Sequence, residues 1–155
     1  MGIGIAAEEA PKPPDLMATR RWIEGLSAPH GWPMRYKEDG TLVAAGTCDE
    51  RQLREGFDLC HKTLDRFCDL LQTTPEALRG DEWKFHYVFF GRKAEWLQYA
   101  EDLAKREGNP DLLKRLQNRL GSRRCLDPSY TVPPGWMQRD TVHSFAHQLI
   151  SRYQG

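Results

Sequence analysis

The stretch EWLQYAEDLAKREGNPDLLKRLQNRLGSRR, residues 95–124, carries the clearest structural signal in the chain. Trp96, Leu97, Ala100, Leu103 and Ala104 recur at helical spacing. Gly108 is placed to stop that helix. Asn109 is placed to cap the next one, Pro110 to open it with its fixed φ, and Asp111 to meet its positive end. Leu112, Leu113, Leu116 and Leu120 form the apolar stripe of the second helix, and Gly121 ends it. A connection this short predicts an antiparallel pair. That pair is the expected anchor of a mainly α-helical fold of five or six helices with one short β-hairpin.

Positive charge collects on the same stretch. Between Lys114 and Arg124 lie Lys114, Arg115, Arg119, Arg123 and Arg124, five basic side chains with no acid among them. The chain as a whole is neutral, with 22 Lys/Arg and 22 Asp/Glu. Residues 1–91 hold 11 basic and 15 acidic side chains, a balance of −4, and residues 92–155 hold 11 and 7, a balance of +4. With Arg92 and Lys93 upstream, these side chains are the candidate binding surface. Guanidinium forks suit phosphates or the carboxylates of an acidic protein face. The plain structural alternative is a solvated helix face whose charges complement the helix C-terminus.

Outward from there, Leu53, Phe57, Cys60, Leu64, Phe67 and Leu71 recur at steps of four and three, which predicts a long amphipathic helix. Thr47 and Glu50 have capping-box spacing at its start. Thr74 and Pro75 predict a further helical turn. The nine residues 70–78 resemble the approach to the last helix of phage-repressor helix-turn-helix domains, with no recognition helix following. Residues 34–44 alternate around Asp39-Gly40, which predicts a hairpin whose turn uses positive φ angles. Residues 83–90 fit both periods: Trp83, Phe85, Tyr87 and Phe89 alternate as in a strand, while Trp83, Tyr87 and Phe90 run into Ala94 and Leu97 as in a helix. With helices on both sides, a helix interrupted near Gly91 is expected.

Residues 1–14 are rich in Ala, Glu and Pro and are expected to form a flexible arm, leaving residues 15–155 as a single helical domain. Asp15 is placed to cap a short helix carrying Leu16, Arg20, Ile23 and Leu26. Residues 122–135 are expected to be a loop. A last helix over 137–153 follows, with Val142, Phe145, Leu149 and Tyr153 as its stripe. No apolar run approaches the roughly 20 residues that span a bilayer. Cys48, Cys60, Cys68 and Cys125 contain no Cys-x-x-Cys spacing, and no secretory signal precedes them. A cytoplasmic protein with reduced thiols is expected.

Three constellations touch on chemistry. His143 and His147 stand four apart on a helix, so both imidazoles could face one metal. A closed site would require two more ligands, with Cys125, Asp127 and Asp140 near in sequence. The residue after His143 is Ser144, not the glutamate of a helical metalloprotease. A hydrogen-bonded pair at the core edge is the simpler reading, so no metal and no cofactor is assigned. Cys60 and His61 are helix neighbours that point about 100° apart, which does not suit a nucleophile and its base. Trp83, His86, Tyr87, Phe89 and Phe90 could stack nucleobases beside Arg92 and Lys93, but read first as core. No phosphate-cradling loop, nucleophile elbow or dinucleotide fingerprint occurs. The expectation is a non-catalytic interaction protein, an adaptor, regulator or inhibitor, meeting an acidic protein surface. Nucleic-acid binding through the same arginines is the alternative, and a His-ligated metal enzyme is the third reading.

Overall fold

The computed structural model describes residues 17–80, 84–117, 131–132 and 137–154. By content the chain is mainly α-helical, with six α-helices and a small sheet among the described residues. In chain order these are α1 (Ala18–Ser27), β1 (Arg35–Glu38), β2 (Leu42–Gly46), α2 (Glu50–Leu71), α3 (Pro75–Arg79), β3 (Phe85–Phe89), α4 (Lys93–Arg106), α5 (Pro110–Gln117), β4 (Thr131–Val132) and α6 (Met137–Gln154). The hairpin, the long α2, the α4–α5 pair and the last helix stand where the sequence predicts them. Asp15, Leu16, Trp83, Leu120 and Gly121 lie outside the described residues.

The ambiguous segment is a strand, not a helix. β3 lies inside a sheet of order β1-β2-β3-β4, antiparallel to start and parallel thereafter. Its residues are buried on both faces, which erases the polar–apolar alternation that marks a half-exposed strand. Phe85, Tyr87 and Phe89 join Leu42 and Ala44 under α2, α3 and α6, packing on Leu53, Phe57, Cys60, Leu64, Leu78, Phe145 and Leu149. Val88 and Phe90 join Val43 and Ala45 on the opposite face, against Ile23 of α1, Trp96, Tyr99 and Leu103 of α4, and Leu112 and Leu116 of α5. The result is three layers, with helices on both sides of the sheet. The predicted hairpin is therefore one part of a larger sheet rather than a ribbon leaning on helices.

The connection from β2 to β3 carries α2 over one face, and that from β3 to β4 carries α4 and α5 over the other. Both step the same way across the sheet, so they are of opposite hand. One of the two departs from the usual right-handed crossover.

Local chemistry corrects several predicted details. The hairpin turn takes no positive φ at Asp39 or Gly40. The Asp39 carboxylate accepts from the amides of Thr41 (2.8 Å) and Leu42 (2.9 Å), so a side chain closes the turn instead. The cap of α2 is Asp49, whose carboxylate accepts from the Gln52 amide at 2.8 Å in a capping box. Thr47 bonds elsewhere. Its hydroxyl meets the Glu95 carboxylate and accepts from the Gly91 amide at 2.7 Å, joining the end of β2 to the start of α4. Thr74 does cap α3, accepting from the Ala77 amide at 3.2 Å. That five-residue helix lies on the β2–β3 crossover, which is not a helix-turn-helix setting. Thr131 and Val132, expected in a loop, pair with Val88 and Phe89. On α6 the buried face is Thr141, Ser144, Phe145, Gln148 and Leu149, while Val142 and Tyr153 are exposed.

Among the described residues β4 matches β3 at Val88 and Phe89. Phe85 turns its amide toward β2, donating to the Thr41 carbonyl, so the next residue turns its backbone the other way. There the Gln148 amide stands in for a strand. Its Oε1 accepts from the His86 N–H at 3.3 Å, and its Nε2 donates to the His86 carbonyl at 3.1 Å. This pair of bonds ties α6 to the centre of the sheet.

α2 closes on the sheet at Gly56, where an added Cβ would fall 2.3 Å from the Phe89 ring. Gly56→Ala gains about 1 kcal/mol of helix propensity and displaces a fully packed ring at about 1–3 kcal/mol. A net loss of up to about 2 kcal/mol is expected in urea unfolding, read as a lower midpoint. Gln148→Ala strands a buried N–H and a buried C=O of His86 and is expected to cost about 2–4 kcal/mol in the same measurement.

Candidate functional site

The basic surface predicted from sequence is described in part. Lys114 and Arg115 are exposed on α5, opposite Leu112 and Leu116, which are buried against α4. No carboxylate is paired with either among the described residues. Both lie in the last turn of α5, where positive charge suits the helix dipole. Arg92 and Lys93 are exposed at the start of α4. At 1.5 Å per residue, the 14 residues of α4 extend about 21 Å and the 8 of α5 about 12 Å. The described part of α5 therefore returns along only about half of α4, and the two basic pairs occupy different parts of the helical layer. Arg119, Arg123 and Arg124 lie outside the described residues.

The aromatic run is core. His86, Tyr87, Phe89 and Phe90 are each at most 1% exposed, so none of them offers a ring for base stacking. Trp83 lies outside the described residues. Phe90 contacts Trp32 edge-on at 5.1 Å and Tyr99 at 5.8 Å. Trp32 in turn stacks on His30 at 4.5 Å, and His30 Nε2 contacts the Asp102 carboxylate at 2.5 Å. That contact pins the turn after α1 onto α4. Nothing in the spacing of residues 30 and 102 signals it.

Cys60 and His61 diverge as the helix geometry requires. The Cys60 thiol is fully buried, and burial pushes its pKa up, away from the thiolate a nucleophile needs. Burial and the nearby Asp49 carboxylate push Cys48 up to about 11. His61 turns outward, 2.7 Å from the Asp39 carboxylate and edge-on to Phe57. Burial works to raise the Asp39 pKa, but the amides of Leu42 and Thr41 and the imidazole of His61 hold it below the ordinary value.

His143 and His147 do come together. Their Nε2 atoms are 3.2 Å apart, with ring centroids at 4.7 Å and planes inclined by 72°. One Nε2–H donates to the other ring's Nε2, with the tautomers deciding which ring is the donor. His143 is exposed and His147 is half-buried. Cys125 and Asp127 lie outside the described residues, as does the side chain of Asp140. Among the described residues no group of three or more His, Cys, Asp or Glu converges as a metal cluster would.

No family model matches the chain, no curated protein matches it, and no solved structure matches it. No helix among the described residues is long and apolar enough to cross a membrane.

His86 is a buried histidine. Nδ1–H donates to the Lys84 carbonyl at 3.2 Å, and Nε2 is buried without a hydrogen-bond partner. Burial lowers its pKa to about 4, against the raising effect of the Lys84 bond. The folded protein thus holds His86 neutral where the unfolded chain, with a pKa near 6.5, takes up a proton. Its contribution to stability is complete above about pH 6.5, declines as pH falls toward about 4, and is gone below that. Stability measured by urea unfolding across this window is expected to fall by up to about 1.4 kcal/mol per pH unit, and His86→Gln is expected to flatten that part of the profile.

Proposed function

We propose that this chain acts by surface recognition, as a cytoplasmic adaptor, regulator or inhibitor whose basic helical face meets an acidic protein surface. The observation that supports this reading is the disposition of α5. Leu112 and Leu116 are committed to the core, while Lys114 and Arg115 stand in solvent without a carboxylate partner among the described residues. Unneutralised surface cations steer an acidic partner and set orientation more than they add affinity. Arg119, Arg123 and Arg124 continue the same basic run in sequence.

Nucleic-acid binding through these cations is the second reading, with less support because His86, Tyr87, Phe89 and Phe90, which would have stacked the bases, are buried. The two readings differ in their response to nuclease and salt. The decisive comparison is affinity capture from native lysate with the wild type and with the Lys114→Glu/Arg115→Glu variant, each with and without nuclease. A protein partner retained after nuclease and lost from the charge-reversed variant supports the proposal. Capture that survives charge reversal overturns it. Binding to DNA or RNA oligonucleotides that falls steeply with salt moves the reading to nucleic acid.

A further inference from the structure

We propose that His143 and His147 form an open chelate for a divalent transition-metal ion of the zinc, nickel and copper class. The separation of the nitrogens carries the inference. Two metal–nitrogen bonds of about 2.0–2.1 Å span about 3.3–3.4 Å at a tetrahedral angle and about 2.9 Å at a right angle. The Nε2 atoms of His143 and His147 stand 3.2 Å apart, within that range, so their separation already suits an ion that bridges them.

The support beneath the pair is rigid. Phe145 and Leu149 on the opposite side of α6 are fully buried, and Gln148 is bonded to the backbone of β3. The two imidazoles therefore project from a helix whose rotation and depth are both set, which lowers the ordering cost of chelation. The site is also open. His143 faces solvent, leaving room for water, or for a carboxylate or thiolate of a partner, to complete the coordination shell. Imidazole nitrogen suits zinc, copper and nickel, whereas Mg²⁺ and Ca²⁺ take oxygen ligands, which the two imidazoles do not provide.

The site is on α6, away from the basic face of α5, and stands or falls independently of the proposed recognition role. The test is calorimetric titration of the full chain with NiCl2, ZnCl2, CuCl2 and MgCl2 in a non-coordinating buffer near neutral pH. One ion per chain is expected for the first three, tightest for copper, with no heat from magnesium. Either His143→Ala or His147→Ala is expected to weaken binding by about tenfold or more, because one ligand of a two-ligand chelate is gone. Far-UV circular dichroism verifies that each variant keeps α6. In nuclear magnetic resonance spectra, Cu²⁺ is expected to broaden the signals of Val142, Ala146 and Ile150 first. Absence of stoichiometric binding at millimolar ion overturns the proposal. So does binding that persists undiminished in the double variant, or broadening centred on another element.

Discussion

The structure depends on satisfying the backbone of β3 on both sides. A strand buried on both faces has no water to turn to, so every N–H and C=O along it must find a protein partner. β2 provides one full side through the parallel register from Leu42–Phe85 to Gly46–Phe89. On the other side, among the described residues, β4 covers Val88 and Phe89, and the Gln148 side chain answers for His86. Gln148 acts together with Phe145 and Leu149, which are fully buried on the same side of α6, while His143 on the other side is exposed. The same strand receives the Phe89 ring against the bare backbone of Gly56, which sets how closely α2 approaches.

This arrangement divides the reactive side chains of the described residues into two groups. The sheet and its covering helices absorb Cys48, Cys60, Cys68, His86, Tyr87, Phe89 and Phe90, removing them from contact with any substrate. Burial also holds the Cys60 thiol protonated and the His86 imidazole neutral. The outward group includes exposed cations on α4 and α5, two imidazoles on α6, and the partly exposed His30 and His61, each against a carboxylate.

Much of the helical framework is legible because helix signals are local. The stripe Leu53, Phe57, Cys60, Leu64 and the Gly108-Asn109-Pro110 break need only neighbours in sequence to declare themselves. The Asn109 side chain accepts from the Leu112 amide at 3.2 Å, as its position implies. β3 defeats the same reading because its signal is not local. Phe85 to Phe90 is apolar on both faces, and a pattern with no polar side does not reveal its period. The start of α2 is legible as a region but not as a residue, since Glu95 and Gly91 claim Thr47 from a distant part of the chain and leave the cap to Asp49. The stripe of α6 departs from its apolar pattern for a related reason. Gln148 is polar yet buried, and Val142 and Tyr153 are apolar yet exposed, because the face that carries Phe145 and Leu149 into the core also brings Gln148 to the backbone of His86.

Taken alone, the amino-acid sequence determined the long α2, the Gly108-Asn109-Pro110 break between α4 and α5, the last helix, the hairpin, and the uneven distribution of charge, all of which arise from residues within a few positions of one another. Tertiary structure alone decided that residues 85–89 form a central strand, that helices cover both of its faces, and which side of α6 meets solvent. Those outcomes follow from burial and from backbone partners contributed by residues tens of positions away, such as Gln148 for His86. No local pattern encodes them.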